Sequence, residues 1–446
     1  METLVPVINS RAPGLAKVMQ RQILREELAA RVEEIISAVR SEGDRALCRF
    51  TLEFDGVRLA PGELKVGADE VKAAYRQVDE DFLAALTVAR EKITAFHQKQ
   101  LLNSWIDVDQ QGVIRGQIIR PLARVGIYVP GGRAAYPSSV LMNALPAVVA
   151  GVPEIVMVTP PGPGGGLNPH TLVAAGEAGV TEIYKVGGAQ AIAALAYGTR
   201  TIKAVDKITG PGNIYVTLAK RSVFGQVDID MLAGPSEVAV VADETADPAY
   251  VAADLLAQAE HDPLAAAILF TPSAVLAQAV QKELAKQLAA LPREEIAAGA
   301  LANHGAIVVT GDLEEAIELV NKFAPEHCEL LVAEPFHWLS RVENAGAVFL
   351  GPYSPEPVGD YLAGPNHVLP TGGTARWASG LGVEAFLKRT SLLAYSRQAL
   401  LQTGAQIVKL ARTEGLEGHA RAIEVRLKVC GEAIAPANDL RRGASE

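Results

Sequence analysis

The spacing of hydrophobic and polar residues divides this chain into a helical start followed by two regions of alternating strands and helices. Near the beginning, apolar positions recur at helical spacing and charged residues fill the positions between them. This pattern predicts one or two amphipathic helices over 18–47 and another helix over about 69–100. Both stretches are typical of outer-layer helices that bury one face.

From residue 124 onward, short β-branched runs alternate with helices rich in small residues. The pattern predicts strands at 124–129, 154–158 and 181–186, and helices at 138–150, 169–178 and 189–198. One sequence pattern occurs twice, at 150–158 and at 178–186, and each copy places a glycine where a helix C-cap precedes a buried strand. Repeated helix–strand units predict a parallel sheet with right-handed crossovers.

The same alternation returns further along the chain. The predicted elements are strands at 238–242, 266–271, 305–310, 329–333 and 347–350, and helices at 248–260, 274–290 and 313–323. The Gly- and Pro-rich segment 352–380 predicts a long loop of functional type, and helices follow beyond 383, one of them around 420–429. We therefore expect an α/β protein with two Rossmann-like, doubly wound domains and small helical elements at both termini.

Length and composition agree with a globular protein. Of its residues, 49% are hydrophobic and 21% are charged, which is typical of a soluble globular protein. A chain of 446 residues is too long for one ordinary core, so two major domains are expected. The net charge of -10 argues against nucleic acid as a main partner, because phosphate binding needs an excess of Lys and Arg.

Targeting and redox signals favour a cytoplasmic location. The three cysteines, Cys48, Cys328 and Cys430, are far apart and form no CxxC pair, which is typical of reduced thiols. The N-terminus lacks the basic and apolar regions of a secretory signal. No apolar run approaches the roughly 20 residues that span a bilayer, so no membrane association is expected.

Imidazole groups concentrate in the second half of the chain, where six of the eight histidines lie at or beyond His261. Glu326 and His327 are adjacent and follow the helix-ending Pro325. Both side chains can move protons near neutral pH, which makes the pair a candidate for acid–base catalysis. The alternative is a histidine at a helix C-terminus beside a solvated carboxylate, and the local sequence leaves both interpretations open.

Three segments carry candidate metal ligands. Gln258 and His261 are three residues apart at a predicted helix end, so both could reach one ion. A solvated helix end is the alternative, and Gln is an uncommon zinc ligand. Asp360 and His367 lie in the Gly- and Pro-rich segment, either as placed ligands or as residues of a surface loop. His419 precedes the last helix, where nothing local marks it as a ligand.

Cofactor signals are weak at the level of single motifs. The sequence has no GxGxxG between a predicted strand and helix. The Gly-rich turns at 186–191 and 209–213 could bring backbone N–H groups close to phosphates, but such turns occur in every α/β fold.

The chain resembles the histidinol dehydrogenase family over nearly its whole length, and the matching motifs occur in the same order. The motifs that carry the resemblance are Val125-Gly-Ile-Tyr-Val-Pro-Gly-Gly132, Gly210-Pro-Gly-Asn213, Asp228-Ile-Asp-Met-Leu-Ala-Gly-Pro-Ser-Glu-Val238, Gln258-Ala-Glu-His261, Ala324-Pro-Glu-His327, Gly359-Asp-Tyr361, Gly364-Pro-Asn-His-Val-Leu-Pro-Thr371 and Glu414-Gly-Leu-Glu-Gly-His419. The resemblance implies a zinc-dependent enzyme that oxidises L-histidinol to L-histidine through L-histidinal and reduces two NAD. That reaction is the last stage of histidine biosynthesis.

The resemblance also implies roles for individual residues. Zinc would be held by Gln258, His261, Asp360 and His419. NAD would contact Tyr128, Gln190 and Asn213. His327 would accept the proton of the alcohol, and Glu326 would activate the water that adds to the aldehyde. The zinc ligands and His327 would contact the substrate, together with Ser138, Ser236, His367 and Glu414.

The domain organisation follows from the same resemblance. After an N-terminal segment (1–23), an NAD-binding domain over 128–235 would be inserted into a main α/β domain formed by 24–127 and 236–380. The C-terminal helical segment, 381–446, would be exchanged between the subunits of a homodimer. Glu414 and His419 would then complete the site of the partner subunit.

Three alternatives remain open. A zinc-linked dehydrogenase of the same fold could act on another small alcohol, although Glu414 and His367 are present to read the polar end of histidinol. A zinc hydrolase could use Glu326 to activate a metal-bound water, but it would need no nicotinamide site. A non-catalytic metal-binding module would leave Glu326 and His327 idle.

Overall fold

The structure is a computed structural model that describes residues 4–20, 26–131 and 135–432. Contacts among these residues form two compact units, one within 1–101 and 121–386 and the other within 102–120 and 387–446. Part of the predicted helix over 18–47 and Gly132 of the first motif lie outside the described residues. In the part of the chain that the structure describes, no helix has both the length and the apolar character needed to cross a membrane.

The strands and helices of the described residues follow in chain order. The strands are β1 (Val7–Asn9), β2 (Trp105–Val108), β3 (Ile114–Pro121), β4 (Arg124–Tyr128), β5 (Glu154–Thr159), β6 (Glu182–Lys185), β7 (Lys207–Thr209), β8 (Asp228–Ile229), β9 (Glu237–Ala242), β10 (Ala266–Thr271), β11 (Ala306–Val309), β12 (His327–Leu331), β13 (Ala347–Leu350) and β14 (Leu387–Ala394). The helices are α1 (Leu15–Val18), α2 (Ala29–Glu42), α3 (Asp44–Asp55), α4 (Ala68–Tyr75), α5 (Glu80–Gln98), α6 (Pro137–Ala150), α7 (Pro169–Glu177), α8 (Gly188–Tyr197), α9 (Ile214–Val223), α10 (Pro248–Ala259), α11 (Ala274–Leu288), α12 (Glu294–His304), α13 (Leu313–Phe323), α14 (Pro335–Leu339), α15 (Glu356–Tyr361), α16 (Arg397–Thr413) and α17 (Glu417–Glu432).

The first unit contains a six-stranded sheet in the order β1-β11-β10-β9-β12-β13, and its strand pairs are parallel. Successive residues of β9 enter different cores because side chains alternate across a strand. Val238 and Val240 pack with residues of α10, α11 and α12, whereas Ala239 and Val241 pack with residues of α13. Burial on both faces explains the continuous apolar runs of these strands.

The first unit also contains a five-stranded sheet in the order β6-β5-β4-β7-β8, which is again parallel. The chain moves outward in one direction from β4 to β6 and in the other from β7 to β8, so β4 and β7 flank a topological switch point. Residues of α2, α3, α8 and α9 share one hydrophobic core with this sheet. Both sheets confirm the predicted doubly wound α/β class.

Several local features differ from the sequence-based expectations. The region over 18–47 contains α2 and the first residues of α3. Gly43 separates these two helices and has a φ of +60°, which favours glycine. The grouping of 24–127 with 236–380 and the borders of the insertion stay a prediction. The segment 352–380 is not only loop, because Pro355 precedes a short helix, α15.

The second unit combines strands and helices. Its sheet has the order β14-β3-β2, with β2 and β3 antiparallel. The two helices α16 and α17 pack closely where Gly404 faces Leu427, since a Cβ at Gly404 would lie 2.8 Å from a methyl group of that leucine. The predicted C-terminal helical segment therefore also includes a strand, β14.

Candidate active site

A group of buried titratable side chains lies at the amino edge of the six-stranded sheet. His327 is the first residue of β12 and is in register with Val238, the second residue of the neighbouring strand β9. Ser236 directly precedes β9, and Glu326 directly precedes β12. In doubly wound folds ligands usually bind at the carboxyl ends of strands, so this group uses the opposite edge.

The turn before β12 positions Glu326. Ala324, the C-cap of α13, has a φ of +48°, in the left-handed region that favours glycine. The Glu237 backbone N–H donates to Oε2 of Glu326 at 3.0 Å, and the Ser236 side chain forms a further hydrogen bond with this carboxyl. Burial raises the pKa of Glu326 well above its ordinary value, although the Glu237 amide lowers it.

The ring of His327 is held in one orientation. Its Nδ1 lies 3.3 Å from the carbonyl oxygen of Glu237, and a carbonyl oxygen can only accept, so Nδ1 carries the proton. Nε2 is buried and has no hydrogen-bond partner among the described residues. Burial lowers the pKa of His327 to about 4, against an opposing effect of Asp360. The ring is therefore neutral near pH 7 and presents an unprotonated Nε2, as a general base requires.

Three further side chains form a candidate metal group beside this histidine. His261, Glu356 and Asp360 each offer a ligand atom, and these atoms all lie within 4.8 Å of one another. Nε2 of His261 is 4.0 Å from Oε1 of Glu356. Imidazole nitrogen and carboxylate oxygen are donors that zinc accepts, so the residues present fit the metal that the resemblance implies. Gln258 is fully buried in the last turn of α10, three residues before His261.

Two buried carboxyl groups lie beneath the metal group. Asp254 of α10 and Glu329 of β12 share a hydrogen bond, and the Glu356 backbone N–H donates to Oε1 of Glu329 at 2.8 Å. Burial raises the pKa of Asp254, Glu329 and Glu356. A cation bound beside these groups would favour their ionised forms, which burial alone disfavours.

The predicted substrate residues of the first unit have different surroundings. Nδ1 of His367 lies 3.1 Å from the backbone carbonyl oxygen of Asp360, so this hydrogen bond holds His367 beside the candidate metal ligands. Burial lowers the pKa of His367, although Asp360 raises it. Ser236 contacts Glu326, as described above. Ser138 is half-buried in the first turn of α6, and its contact with substrate stays a prediction.

The predicted cofactor residues lie at the carboxyl edge of the five-stranded sheet. Tyr128 ends β4, and its hydroxyl oxygen accepts a hydrogen bond from the Gly188 backbone N–H at 3.1 Å. Gln190, in the first turn of α8, is buried, and neither its Oε1 nor its Nε2 has a hydrogen-bond partner among the described residues. Asn213 is the N-cap of α9, and its side-chain oxygen accepts from two backbone N–H groups. The unpartnered amide and the switch-point location fit a dinucleotide.

A buried ion pair supports the turn that carries Asn213. Lys220 and Asp230 are paired, and both side chains are almost fully buried. Lys220 also donates to the Gly210 carbonyl oxygen at 3.0 Å, and the Gly210 N–H donates to Asp230 at 2.7 Å. A Cβ at Gly210 would lie 2.1 Å from the Tyr128 carbonyl oxygen, so this close approach requires glycine.

The remaining two site residues belong to the second unit. Glu414 is the exposed C-cap of α16, and His419 is exposed near the start of α17. Their predicted roles, together with a site completed by a partner subunit, stay predictions.

Sequence reasoning missed Glu356, Glu329 and Asp254. Glu356 and Asp360 are four residues apart on α15, a spacing that places both side chains on one helix face. That signal was available, but the surrounding prolines and glycines predicted a loop. Glu329 and Asp254 carry no local signal, because each sits in an apolar strand or helix and becomes part of the group only through packing.

The fold and these groups define an α/β protein with a candidate centre for metal binding and proton transfer. The family model for histidinol dehydrogenase matches residues 19–427. Histidinol dehydrogenase of Moorella thermoacetica is 62% identical over 406 residues, covering 91% of this chain and 96% of that protein. The protein of the same name from Heliobacterium mobile is 56% identical over 411 residues, covering 92% and 96% of the two chains.

A solved structure agrees with the sequence comparisons. The crystal structure of histidinol dehydrogenase from Elizabethkingia anophelis has a TM-score of 0.92 and 38% identity, and the match covers 97% of this chain and 100% of that chain. The chain therefore belongs to the histidinol dehydrogenase family, which is a family of oxidoreductases.

Proposed function

We propose that this protein oxidises L-histidinol to L-histidine in two NAD-linked steps through L-histidinal, the last stage of histidine biosynthesis. The observation that carries this proposal is the environment of His327. Its Nδ1 is committed to the carbonyl of Glu237, and its buried Nε2 has no partner among the described residues. An unprotonated imidazole nitrogen beside a metal-binding group can accept the proton that an alcohol loses when it is oxidised.

Zinc would be held by Gln258, His261, Asp360 and His419. The first three belong to the first unit, where the donor atoms of His261 and Asp360 lie within 4.8 Å of each other. The chemistry that zinc supplies when bound is a fixed positive charge that anchors the imidazole and amine of L-histidinol.

NAD would bind at the carboxyl edge of the five-stranded sheet, where it would contact Tyr128, Gln190 and Asn213. The chemistry that NAD supplies is acceptance of one hydride in each step. The buried amide of Gln190 would hydrogen-bond with it, which would satisfy two polar atoms that have no partner among the described residues. The ion pair of Lys220 and Asp230 would keep the Gly210 turn in place.

His327 would act as the base in both oxidations. In the first, the hydroxyl group of L-histidinol gives its proton to Nε2 as hydride leaves the same carbon, which yields the aldehyde. Nε2 then releases this proton to solvent. In the second oxidation, a hydroxyl group of the hydrated aldehyde gives its proton to the regenerated Nε2 as the second hydride leaves, which yields the carboxylic acid. The pKa of about 4 keeps His327 neutral, and therefore able to accept a proton, at pH 7.

Glu326 would activate the water that hydrates the aldehyde. Its pKa is raised by burial, so the ionised carboxylate is a stronger base than an exposed glutamate would be. The amide of Glu237 holds one of its oxygens, which fixes the direction from which the other can reach a water molecule. Two adjacent groups with separate tasks suit a reaction in two steps.

Substrate would also contact Ser138, Ser236, His367 and Glu414. We propose a homodimer in which Glu414 and His419 of one subunit complete the site of the other. The cytoplasmic location stays a prediction from the sequence.

The experiment that tests the function is NADH formation from L-histidinol and NAD, followed by absorbance. The full-length protein should form NADH, lose this activity after treatment with a chelator and regain it when zinc is added. Small alcohols without an imidazole provide the control and should react at least about tenfold more slowly. Absence of NADH from zinc-loaded protein, or equal rates with the control alcohols, would contradict the assignment of substrate.

A further inference from the structure

We infer that the Glu356 carboxylate binds the metal in the substrate-free enzyme and leaves it when L-histidinol binds. This inference rests on the proposed zinc-dependent function and concerns a residue outside the ligand set that the resemblance implies. The metal would thus have one set of protein donors at rest and another with substrate bound.

The position of Glu356 is that of a ligand. Its Oε1 lies 4.0 Å from Nε2 of His261, and the donor atoms of His261, Glu356 and Asp360 all fall within 4.8 Å. Donors that share one zinc ion at bond lengths of about 2.1 Å are separated by roughly 3–3.5 Å. A small side-chain rotation therefore brings the carboxylate into the coordination shell.

The backbone of Glu356 is fixed where this reach is possible. The residue begins α15, and its N–H donates to the buried carboxyl of Glu329 at 2.8 Å. Asp360 is four residues further along the same short helix, so both carboxylates leave one helix face. The Glu356 side chain is only 3% exposed, which makes it a poor candidate for a solvated surface acid.

The neighbourhood also points to a cation. Glu356 lies among other buried carboxyl groups, including Glu326, Glu329 and Asp254. Nε2 of His327 is buried and has no partner among the described residues, which leaves a polar position open toward a ligand. A divalent ion offsets the repulsion among the acids most strongly when one of them binds it directly.

Substrate gives a reason for the carboxylate to leave. L-Histidinol carries an imidazole and an amine, two neutral donors that can occupy metal positions. Without substrate those positions are open, and Glu356 is a donor within reach. When substrate takes them, the carboxylate can return to the position seen here, where its Oε1 lies 4.0 Å from Nε2 of His261 and 4.0 Å from Nδ1 of His327. The exchange requires movement of one side chain and no change in the fold.

The test is metal binding with and without substrate, in the absence of NAD so that no turnover occurs. Full-length protein is freed of metal and titrated with Co²⁺, whose visible absorption reports its ligands, and with Zn²⁺ against a chromophoric chelator. Without L-histidinol, the Glu356→Gln substitution should lower the affinity for both metals by about 10-fold or more and change the Co²⁺ spectrum. With saturating L-histidinol, wild type and variant should bind the metals within about twofold and give matching spectra.

Control variants separate a ligand from a structural support. Glu343→Gln, at an exposed position, should behave as wild type under both conditions. Glu356→Ala repeats the test without an amide that could itself bind metal, and thermal unfolding of the metal-free proteins identifies any variant that is not folded. Suppose that Glu329→Gln lowered the metal affinity only without substrate, as expected for Glu356→Gln. The effect would then come from the buried carboxyl groups in general, and the inference would be overturned.

The remaining outcomes are also decisive. Equal affinities of wild type and Glu356→Gln without substrate, or an equal loss with and without substrate, would overturn the inference while leaving the zinc proposal intact. Wild type that binds no Co²⁺ or Zn²⁺, or His261→Ala that binds them as well as wild type, would overturn the zinc proposal and this inference together.

Discussion

The carbonyl oxygen of Glu237 lies 3.3 Å from Nδ1 of His327, and this contact determines which ring nitrogen can act as a base. Because the acceptor belongs to the backbone at the start of β9, the orientation of the ring depends on the pairing of two neighbouring parallel strands. The sheet register and the chemistry are thus connected: a shift of β12 against β9 would move Nδ1 away from its acceptor and free the ring to rotate.

Replacement of His327 by Asn should abolish most turnover while leaving substrate binding almost unchanged. The amide can still accept hydrogen bonds but cannot take up a proton, so kcat should fall by about 10²–10⁴-fold. Affinity for L-histidinol, measured on the metal-loaded variant without NAD, should stay within a few-fold because the metal ligands remain. His337→Asn, at an exposed position on α14, is the matched control. A His327→Asn variant with near wild-type kcat would rule out the role of this residue as base.

Replacement of Glu326 by Gln should slow the second oxidation more than the first. Gln preserves the shape and can still accept from the Glu237 N–H, but it cannot activate water. Supplying L-histidinol and L-histidinal in separate single-turnover experiments measures the two steps. We expect at least about a tenfold larger effect with the aldehyde. Equal slowing of both steps would mean that Glu326 supports the site in general and does not act on water.

Mixtures of two inactive variants test the proposed sharing of sites. Glu326→Gln chains and His419→Asn chains would each form inactive homodimers, whereas a mixed dimer would contain one site with both residues intact. After unfolding and refolding together, random pairing should restore about one quarter of the wild-type sites. Differently tagged chains verify that mixed dimers have formed. Mixed dimers that recover no activity would place His419 in the site of its own subunit.

Acid stability should depend on Glu182 at the edge of the five-stranded sheet. Burial raises its pKa, but hydrogen bonds from Arg124 and Lys65 outweigh this effect and lower the value to about 2. Since an unfolded glutamate has a pKa of about 4.3, the interaction stabilises the fold above that pH and is lost progressively as the pH falls toward 2.

The measurement is the unfolding stability of Glu182→Gln and wild type across this range. Wild type should be more stable by roughly 1–2 kcal/mol at pH 6, and the difference should shrink on acidification below about pH 4. Glu33→Gln, an exposed position on α2, serves as the control. A difference that is constant from pH 6 to pH 3 would show that the ionisation of Glu182 does not contribute.

The sequence predicted most strands of the two parallel sheets, because their signals are local. Strands such as β4 and β9 are continuous apolar runs, and the helices between them have clear caps, for example Asn168 before α7 and Asp247 before α10. The strands β1, β7 and β8 were not predicted, because two or three residues are too few to show a pattern. The strands β2, β3 and β14 were not predicted, because few of their residues are buried and they lack a clear hydrophobic pattern.

The site was less accessible to sequence reasoning. The neighbouring residues Glu326 and His327 could be singled out by residue type, but the acceptor that orients the ring, Glu237, is distant in the chain and acts through its backbone. Glu356 was missed because the prolines on either side of it predicted a loop, whereas the chain forms one short helix there. For His419 the local sequence contains no signal, and only resemblance to a family proposes a role.

The measurement that tests the account most directly is the number of NADH molecules formed for each L-histidinol consumed by zinc-loaded protein. One site that performs both oxidations should give two NADH and one L-histidine, with little free aldehyde accumulating, and Glu326→Gln should move the ratio toward one. A ratio of one with wild-type protein and release of L-histidinal would contradict the proposal that His327 and Glu326 carry out both steps in a single site.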